Sequence, residues 1–335
     1  ASLNVRRAVR PTDDQRSRRA ADSRLEQADM SKSRREFLGM TAGFGALAAI
    51  SCSTNATEDA AAPKSLPFRV SLAEWSYHQA LQSKQLDHMD FAKVAKQVHH
   101  LEAVEYVNSF FKDKARDGAY LKELKSRADS FGVRILLIMI DAEGELGDAD
   151  AAGRARAIEN HVQWLEAAKH LGCHSIRVNA GGSGPREEHA ARAADSLAQL
   201  GTLAEPMDLN VIVENHGGPS SDGSWLADVM RRAKHPRVGT LPDFGNFRVS
   251  ATAEYDRYKG VEELMPFAKA VSAKSHDFDA EGNETATDYL RMMRIVKGAG
   301  YSGYVGIEYE GSRLSERDGI EATKRLLERV RSQLA

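Results

Sequence analysis

Residues 210–216 read Asn-Val-Ile-Val-Glu-Asn-His, a short β-branched run that ends in polar side chains. Such a run is typical of a buried strand. Residues 189–204 before it and residues 224–233 after it carry apolar side chains at helical spacing. A strand between two such stretches is the repeating unit of a parallel sheet. The region around residue 210 therefore predicts consecutive βα units.

The same alternation extends outward over the chain from residue 68 to residue 332. The predicted strands are residues 68–73, 103–107, 134–140, 175–179, 210–214, 238–241, 270–275 and 304–309. The predicted helices are residues 90–99, 118–130, 151–171, 189–204, 224–233, 261–268, 284–297 and 319–332. Eight alternations within about 270 residues favour a single (β/α)8 TIM barrel of the α/β class over an open doubly wound sheet.

Composition and charge exclude several classes of protein. The 335 residues include 46 Lys and Arg against 48 Asp and Glu, with 42% hydrophobic residues, which is globular composition. Only the first 65 residues have a basic excess, so a groove for nucleic acid is not expected. Cys52 and Cys173 are too few for a disulfide framework or a thiolate zinc site. Any metal ion must therefore be bound by His and carboxylate side chains.

A leader is predicted ahead of the barrel, which we place at residues 67–335. Residues 30–52 begin Met-Ser-Lys-Ser-Arg-Arg-Glu-Phe-Leu and continue into a short apolar run, which resembles a twin-arginine export signal. The end of this run resembles a lipobox, in which Cys52 would become a lipid-anchored N-terminus. Residues 1–29 are interpreted as a disordered tail or a misassigned start, and residues 53–66 as a tether. We therefore expect export by the twin-arginine machinery and a periplasmic or otherwise exported location, with membrane contact only through the anchor.

Four polar residues stand at the ends of four consecutive predicted strands. They are Glu214, Asp243, His276 and Glu308. Active sites of such barrels form at the carboxyl ends of the strands, so the fold should bring all four to one mouth. Three carboxylates packed together repel one another unless a cation neutralises them. We therefore expect one divalent metal ion, with Mn²⁺ or Mg²⁺ preferred for these ligands and Co²⁺ or Zn²⁺ as alternatives.

Four motifs around these residues resemble the xylose isomerase-like TIM barrels, a family that includes sugar phosphate isomerases and sugar epimerases. They are Val213-Glu214-Asn215-His216, Pro242-Asp243, Ser275-His276-Asp277 and the run from Gly300 to Tyr309. The resemblance implies that Glu214, Asp243, His276 and Glu308 bind one divalent ion. It also implies that Glu214 and Glu308 move a proton at a carbon beside a carbonyl. Where many members have a His three residues after the Asp, this chain has Asn246, which argues against the DNA-repair branch of the fold.

Further side chains are candidates for substrate contact. Alternation along the strands directs Lys274 and Arg177 into the barrel, and Lys274 is a candidate for stabilising an enolate, with a structural ion pair as the alternative. Glu105 is expected to bind hydroxyls or to pair with Arg177. His216 is expected to reach the substrate or to orient a ligand, and Trp75 to pack against a sugar face. Asn246 completes the predicted substrate-binding set.

The sequence favours one function and leaves two alternatives open. A metal and two glutamates suit proton abstraction beside a carbonyl, hence a sugar isomerase or epimerase. Because sugar phosphates are held in the cytoplasm, an exported enzyme is expected to act on an unphosphorylated sugar or glycoside. The first alternative is a lyase that eliminates the aglycone of a 3-keto-glycoside at the same metal site. The second is a sugar-binding barrel without turnover.

Overall fold

The computed structural model describes residues 67–334. In this part of the chain, eight parallel strands form one sheet, and an antiparallel hairpin, β7–β8, lies between the sixth and seventh of them in sequence. The strands are β1 (Arg69–Ala73), β2 (Ala103–Val107), β3 (Arg134–Met139), β4 (Ser175–Val178), β5 (Asn210–Glu214), β6 (Val238–Leu241), β7 (Arg248–Ser250), β8 (Ala253–Glu254), β9 (Val271–Ser275) and β10 (Tyr304–Tyr309). This order confirms the predicted α/β barrel.

Helices alternate with the strands of the sheet. They are α1 (His78–Gln82), α2 (Phe91–Gln97), α3 (Gly118–Ser130), α4 (Ala151–Leu171), α5 (Arg186–Ala204), α6 (Gly223–Ala233), α7 (Arg257–Leu264), α8 (Tyr289–Gly298) and α9 (Glu316–Leu334). Several of them begin with an Asp whose side chain accepts hydrogen bonds from the first turn, as Asp222 does for α6. Among residues 67–334, no helix has both the length and the apolarity needed to cross a bilayer.

The sheet closes on itself between β6 and β9. Strand order runs β6-β5-β4-β3-β2-β1-β10-β9, so β6 and β9 are the two ends of the sheet. Parallel bridges join Thr240 to Ala268 and Asp243 to Ser272 across this seam. The Ser272 amide donates to the Pro242 carbonyl at 3.0 Å. These bonds bring the segment after β6 against β9 and close the barrel.

Apolar side chains pack on both faces of the sheet. The larger cluster fills the layer between the strands and the helices. A smaller cluster lies inside the barrel and includes Val107, Leu137, Met139, Ile212 and Leu241. Because successive side chains of a strand point to opposite faces, the polar residues that follow this inner cluster along each strand reach the mouth.

Most predicted element bounds agree with the structure to within three residues, but α1 was not predicted and three other differences are larger. α8 begins at Tyr289 rather than at residue 284, because the Glu284 carboxylate accepts hydrogen bonds from the Ala286 and Thr287 amides and holds a turn there. α7 begins at Arg257, capped by Asp256, four residues earlier than predicted. The hairpin β7–β8 was not predicted. The predicted leader, its lipobox at Cys52 and the tether lie outside the described residues.

Candidate metal centre

Three of the four predicted ligands converge at the mouth of the barrel. Glu214 is the last residue of β5, Asp243 follows β6, and Glu308 lies in β10 near its end. One carboxylate oxygen from each lies within 4.8 Å of the others. Glu214 and Asp243 are fully buried and Glu308 is 2% exposed. Three acidic groups out of water at this spacing repel one another and require positive charge nearby.

Glu214 is only partly satisfied by its neighbours. Its Oε1 accepts a hydrogen bond from Asn246 Nδ2 at 2.9 Å. Its Oε2 lies 2.8 Å from Arg177 Nε, an ion-pair contact, but the N–H does not point at the oxygen. Both of these buried atoms therefore lack a hydrogen-bond partner. Glu214 Oε2 has lone pairs free for a ligand or a proton.

Asp243 and Glu308 share one hydroxyl group. Ser272 Oγ lies 2.7 Å from Asp243 Oδ2 and 2.9 Å from Glu308 Oε2. The other Asp243 oxygen accepts the backbone amides of Gly245 and Asn246 at 2.9 and 2.8 Å. Because a hydroxyl carries one hydrogen, Ser272 donates to one carboxylate at a time. The second contact is a hydrogen bond only when a carboxyl group carries a proton.

Two buried cations face the cluster from different sides. Lys274 Nζ lies 3.2 Å from Glu308 Oε1 and 2.8 Å from Glu310 Oε1. Arg177 Nη1 lies 2.8 Å from Asp141 Oδ1, and Arg177 Nε lies 2.8 Å from Glu214 Oε2 in the cluster. The side chains of Arg177 and Lys274 are 4% and 2% exposed. Both predicted inward orientations, of Arg177 on β4 and Lys274 on β9, are thus found in the structure.

The cluster shifts the pKa values of its members in opposite directions. Burial, together with the Glu214 and Glu308 charges, raises the pKa of Asp243 to about 8 against the lowering effect of Lys274. Burial opposes the charged form of Glu308, but Lys274 and Arg177 outweigh it and lower its pKa. Burial likewise disfavours charge on Lys274, yet the surrounding carboxylates raise its pKa well above the ordinary value. Without a metal ion the cluster therefore holds a proton on Asp243 at neutral pH.

His276 does not join the carboxylates. The sequence predicts it as the fourth ligand, but the three-carboxylate cluster does not include it and its side chain is exposed. The strand alternation that directs Ser272 and Lys274 inward ends with β9 at Ser275. The His276 amide donates to Glu284 at 3.3 Å, and His276 lines a cavity together with Asn246 and Lys274.

The other predicted residues lie at different depths. Asn246 binds Glu214 directly, as described above. Glu105 lies deeper in the barrel, where it accepts a hydrogen bond from Ser71 at 2.6 Å and forms no ion pair with Arg177. His216 is exposed just beyond β5, and Trp75 is half-buried after β1, stacked on His78 with ring centroids 5.0 Å apart.

Three residues of the site were not predicted. Ser272 bridges two carboxylates; it lies two residues before Lys274, and strand alternation was the signal that would have found it. Asp141 accepts hydrogen bonds from Arg177 and Asn179, and that binding lowers its pKa although burial opposes this. Asn215 fixes the Asp243 loop by accepting from its amide at 2.8 Å.

A cavity of about 400 Å³ adjoins the cluster. Asn246 and Lys274 form the part of its lining that touches the carboxylates, and His276 and Arg257 line it farther out. The volume is that of a small-molecule site. The cavity therefore adjoins the cluster through Asn246 and Lys274, and the three carboxylates themselves do not line it.

The residues present fit a divalent cation. Three converging carboxylates are the donors that a hard or borderline ion prefers. Glu214 Oε2, buried and without a hydrogen bond, is placed as a ligand atom would be. Glu214, Asp243 and Glu308 would hold the ion, and Lys274 lies on a further side of the cluster.

Comparison with known proteins agrees with this architecture. A family model described as "Xylose isomerase-like TIM barrel" matches residues 93–332. A curated relative, the C-glycoside deglycosidase alpha subunit of Arthrobacter globiformis, is 39% identical over 66 residues. That match covers 19% of this chain and 19% of the relative, so the chain matches about a fifth of that protein's length.

Solved structures share the fold at low sequence identity. A D-tagatose 3-epimerase-like protein aligns with a TM-score of 0.62 at 19% identity, over 80% of this chain and 100% of its own. The IOLI protein with a bound zinc atom aligns with a TM-score of 0.62 at 16% identity, over 79% and 99%. An L-ribulose 3-epimerase aligns with a TM-score of 0.60 at 13% identity, over 79% and 95%. These likenesses establish the barrel fold.

Proposed function

Because the chain belongs to the xylose isomerase-like TIM barrel family, we propose that it is a divalent-metal-dependent sugar isomerase or epimerase. It removes a proton beside a carbonyl of an unphosphorylated sugar or glycoside. The observation that carries the proposal is the convergence of three buried carboxylates, one of them with an unpartnered oxygen, beside a cavity of small-molecule size. The names of the sugar epimerases that share the fold support the same class of reaction.

Glu214, Asp243 and Glu308 would hold a divalent ion, which would supply Lewis-acid polarisation of the substrate carbonyl and so make the neighbouring C–H more acidic. Side chains of the protein transfer the proton and stabilise the negative charge. The Glu214 carboxylate takes the proton on one face of the substrate. Glu308, ionised at rest, takes a proton from water and passes it to another face of the substrate, while Glu214 releases its proton to water; the Lys274 ammonium beside Glu308 stabilises negative charge on the substrate oxygen.

The cluster supports this division of labour between the two glutamates. Asn246 and Arg177 hold Glu214, so its carboxylate is fixed in orientation while one oxygen stays free. Lys274 and Ser272 hold Glu308 and keep it ionised. Asn246 lines the cavity, and we propose that it, His216 and Trp75 contact substrate hydroxyls or a ring face.

A second candidate is the lyase reaction on a 3-keto-glycoside. The local similarity to a C-glycoside deglycosidase subunit favours it, and proton removal beside the keto group is the same first step. The two reactions differ only in whether a group beta to the carbonyl then leaves. Export through the twin-arginine route also stays a proposal, and it favours substrates without phosphate.

Solvent exchange tests the proposal. Protein loaded with Mn²⁺ is incubated in D₂O with neutral keto-sugars and 3-keto-glycosides, and NMR follows deuterium uptake and free aglycone. We expect deuterium beside the carbonyl in the parent and its loss in Glu214→Gln and Glu308→Gln. Glu102→Gln, a surface glutamate 69% exposed, is the matched control.

The outcomes separate the candidates. Exchange without release supports the isomerase or epimerase, and aglycone release supports the lyase. Ligand binding that survives both glutamine substitutions, with no exchange in the parent, would contradict an enzyme and favour a sugar-binding barrel.

A further inference from the structure

The inner face of β9 presents a hydroxyl and an ammonium group to the carboxylates. In the parallel register with β10, Ser272 pairs with Gly306 and Lys274 pairs with Glu308. Both side chains point into the barrel, and both contact members of the cluster. No imidazole of the described residues has a ligand atom in this group. The seventh barrel strand thus contributes a fixed positive charge to the cluster.

The position of Lys274 is set by carboxylates alone. Its ammonium contacts Glu308 at 3.2 Å and Glu310 at 2.8 Å, and it is 2% exposed. A buried ammonium without such partners is strongly unfavourable, and so are three buried carboxylates without a cation. Each group therefore depends on the other for its burial.

We propose that Lys274 is the built-in counter-cation of the cluster, so that the barrel folds without a metal ion and binds a divalent ion through carboxylates against the competing charge of its own lysine. The inference rests on the proposed function and deepens it by assigning the residue that sets metal affinity. The ion would be readily exchangeable, since it meets three carboxylates whose charge is already partly neutralised. Lys274 acts here as a positioning residue for charge and not as a ligand.

The Lys274 ammonium and a divalent cation are both attracted to the three carboxylates and repel each other. Two unit charges a few ångströms apart interact much more strongly in a protein interior than in water, because the effective dielectric constant is lower. Lys274 stabilises the metal-free carboxylates and repels an incoming divalent cation by the same Coulombic law. Removing its charge should destabilise the metal-free protein and strengthen metal binding together. A purely structural lysine would change stability without strengthening metal binding.

Metal titration of the metal-free protein tests this. The chain is stripped with a chelator, and Mn²⁺ affinity is measured by electron paramagnetic resonance for the parent, Lys274→Met and Lys274→Arg. We expect Lys274→Met to bind Mn²⁺ at least tenfold more tightly than the parent, and Lys274→Arg, which keeps the charge, to stay within about threefold. Lys96→Met, at a lysine 37% exposed, is the matched control and should not change affinity.

Thermal unfolding of the same variants gives a second measurement. We expect metal-free Lys274→Met to have a lower Tm than the metal-free parent. Adding Mn²⁺ should raise the Tm of Lys274→Met by more than it raises the Tm of the parent. A variant that folds only with Mn²⁺ present also supports the proposal. Equal or weaker Mn²⁺ binding in Lys274→Met, or a variant that stays unfolded with Mn²⁺, would overturn it.

Failure of the inference is distinguishable from failure of the proposed function. If the parent binds Mn²⁺ and Lys274→Met binds it no better, the role of Lys274 is wrong while the metal site stands. If the parent binds Mn²⁺ but exchanges no substrate proton, the proposed reaction is wrong while the affinity ratio still tests Lys274. If neither protein binds Mn²⁺ at millimolar concentration, the inference and the metal requirement both fail.

Discussion

Glu74 and Glu214 are two fully buried glutamates at the carboxyl ends of barrel strands, and their surroundings differ in one respect. Glu74, just after β1, has both oxygens bound: Oε1 contacts His88 Nδ1 at 2.6 Å and Oε2 accepts the Val107 amide at 2.8 Å. Glu214, at the end of β5, keeps Oε2 without a hydrogen bond and faces two more carboxylates. The two glutamates are equally buried, but only Glu74 has both carboxylate oxygens satisfied by hydrogen bonds.

The difference separates the two halves of the barrel mouth. In the half formed by β1 to β4, acidic groups such as Glu74 and Asp141 are paired with fixed donors. In the half formed by β5, β6, β9 and β10, three carboxylates point at one another. A satisfied buried acid stabilises the architecture, whereas acids held together against their repulsion are available for chemistry.

The largest expected effect comes from substitutions in the half of the mouth formed by β5, β6, β9 and β10. Glu214→Gln or Glu308→Gln should lower the rate of solvent proton exchange by about 10⁴-fold, because each removes both a metal ligand and a proton carrier. The initial rate of deuterium uptake measures this, with circular dichroism to confirm the fold. A loss of less than about tenfold in both variants would mean that neither carboxylate moves the proton.

The matching change in the first half should affect stability instead. Glu74→Gln breaks the buried contact with His88 and is expected to lower the free energy of unfolding by about 4 kcal/mol. Urea denaturation measures the loss. Mn²⁺ affinity of the folded variant should equal that of the parent. Weakened metal binding with unchanged stability would contradict the distinction between the two halves.

Glu105, on β2 in the first half, lies deeper in the barrel than Glu74 and Asp141 and is not fully paired, which gives a pH dependence. Burial raises its pKa to about 7 against the lowering effect of the Ser71 hydrogen bond, and one oxygen lacks a partner. Because the folded state then binds more protons than the unfolded state, stability should fall as pH rises from about 4.5 to about 7, by roughly 3 kcal/mol. Urea denaturation across this range measures the slope.

Replacing Glu105 with Gln provides the control for that slope. The variant has no proton to lose and should show a weaker fall in stability over the same pH range. Glu102→Gln, on the surface, should retain the parent's slope. An identical slope in the parent and Glu105→Gln would show that Glu105 is ionised as an ordinary carboxylate.

The smallest expected effect tests whether His276 is a metal ligand. His276→Ala should change Mn²⁺ affinity by less than about threefold, because its imidazole is exposed and outside the carboxylate cluster. Loss of an actual ligand or of a side chain that orients one typically costs tenfold or more. Electron paramagnetic resonance titration distinguishes the two cases, and a large loss of affinity would restore His276 as a ligand.

The sequence predicted the fold and most of the mouth for one physical reason. Strand alternation and the repeat length place the end of each strand, so Glu214, Asp243 and Glu308 were assigned correctly to one cluster. The end of β9 at Ser275 was also predicted, and the role of His276 as a fourth ligand stays a prediction, since its side chain is exposed and outside the three-carboxylate cluster. Strand alternation places Ser272 on the inner face of β9, but its role was missed because a serine is not a typical metal ligand and its two carboxylate partners are seen only in the structure.

The most direct measurement is the number of Mn²⁺ ions bound at equilibrium by the metal-free parent and by Asp243→Asn. The central claim is that Glu214, Asp243 and Glu308 jointly hold one cation. It predicts one Mn²⁺ per chain in the parent and at least a hundredfold weaker binding in Asp243→Asn. No stoichiometric binding in the parent, or equal binding in the two proteins, would contradict it.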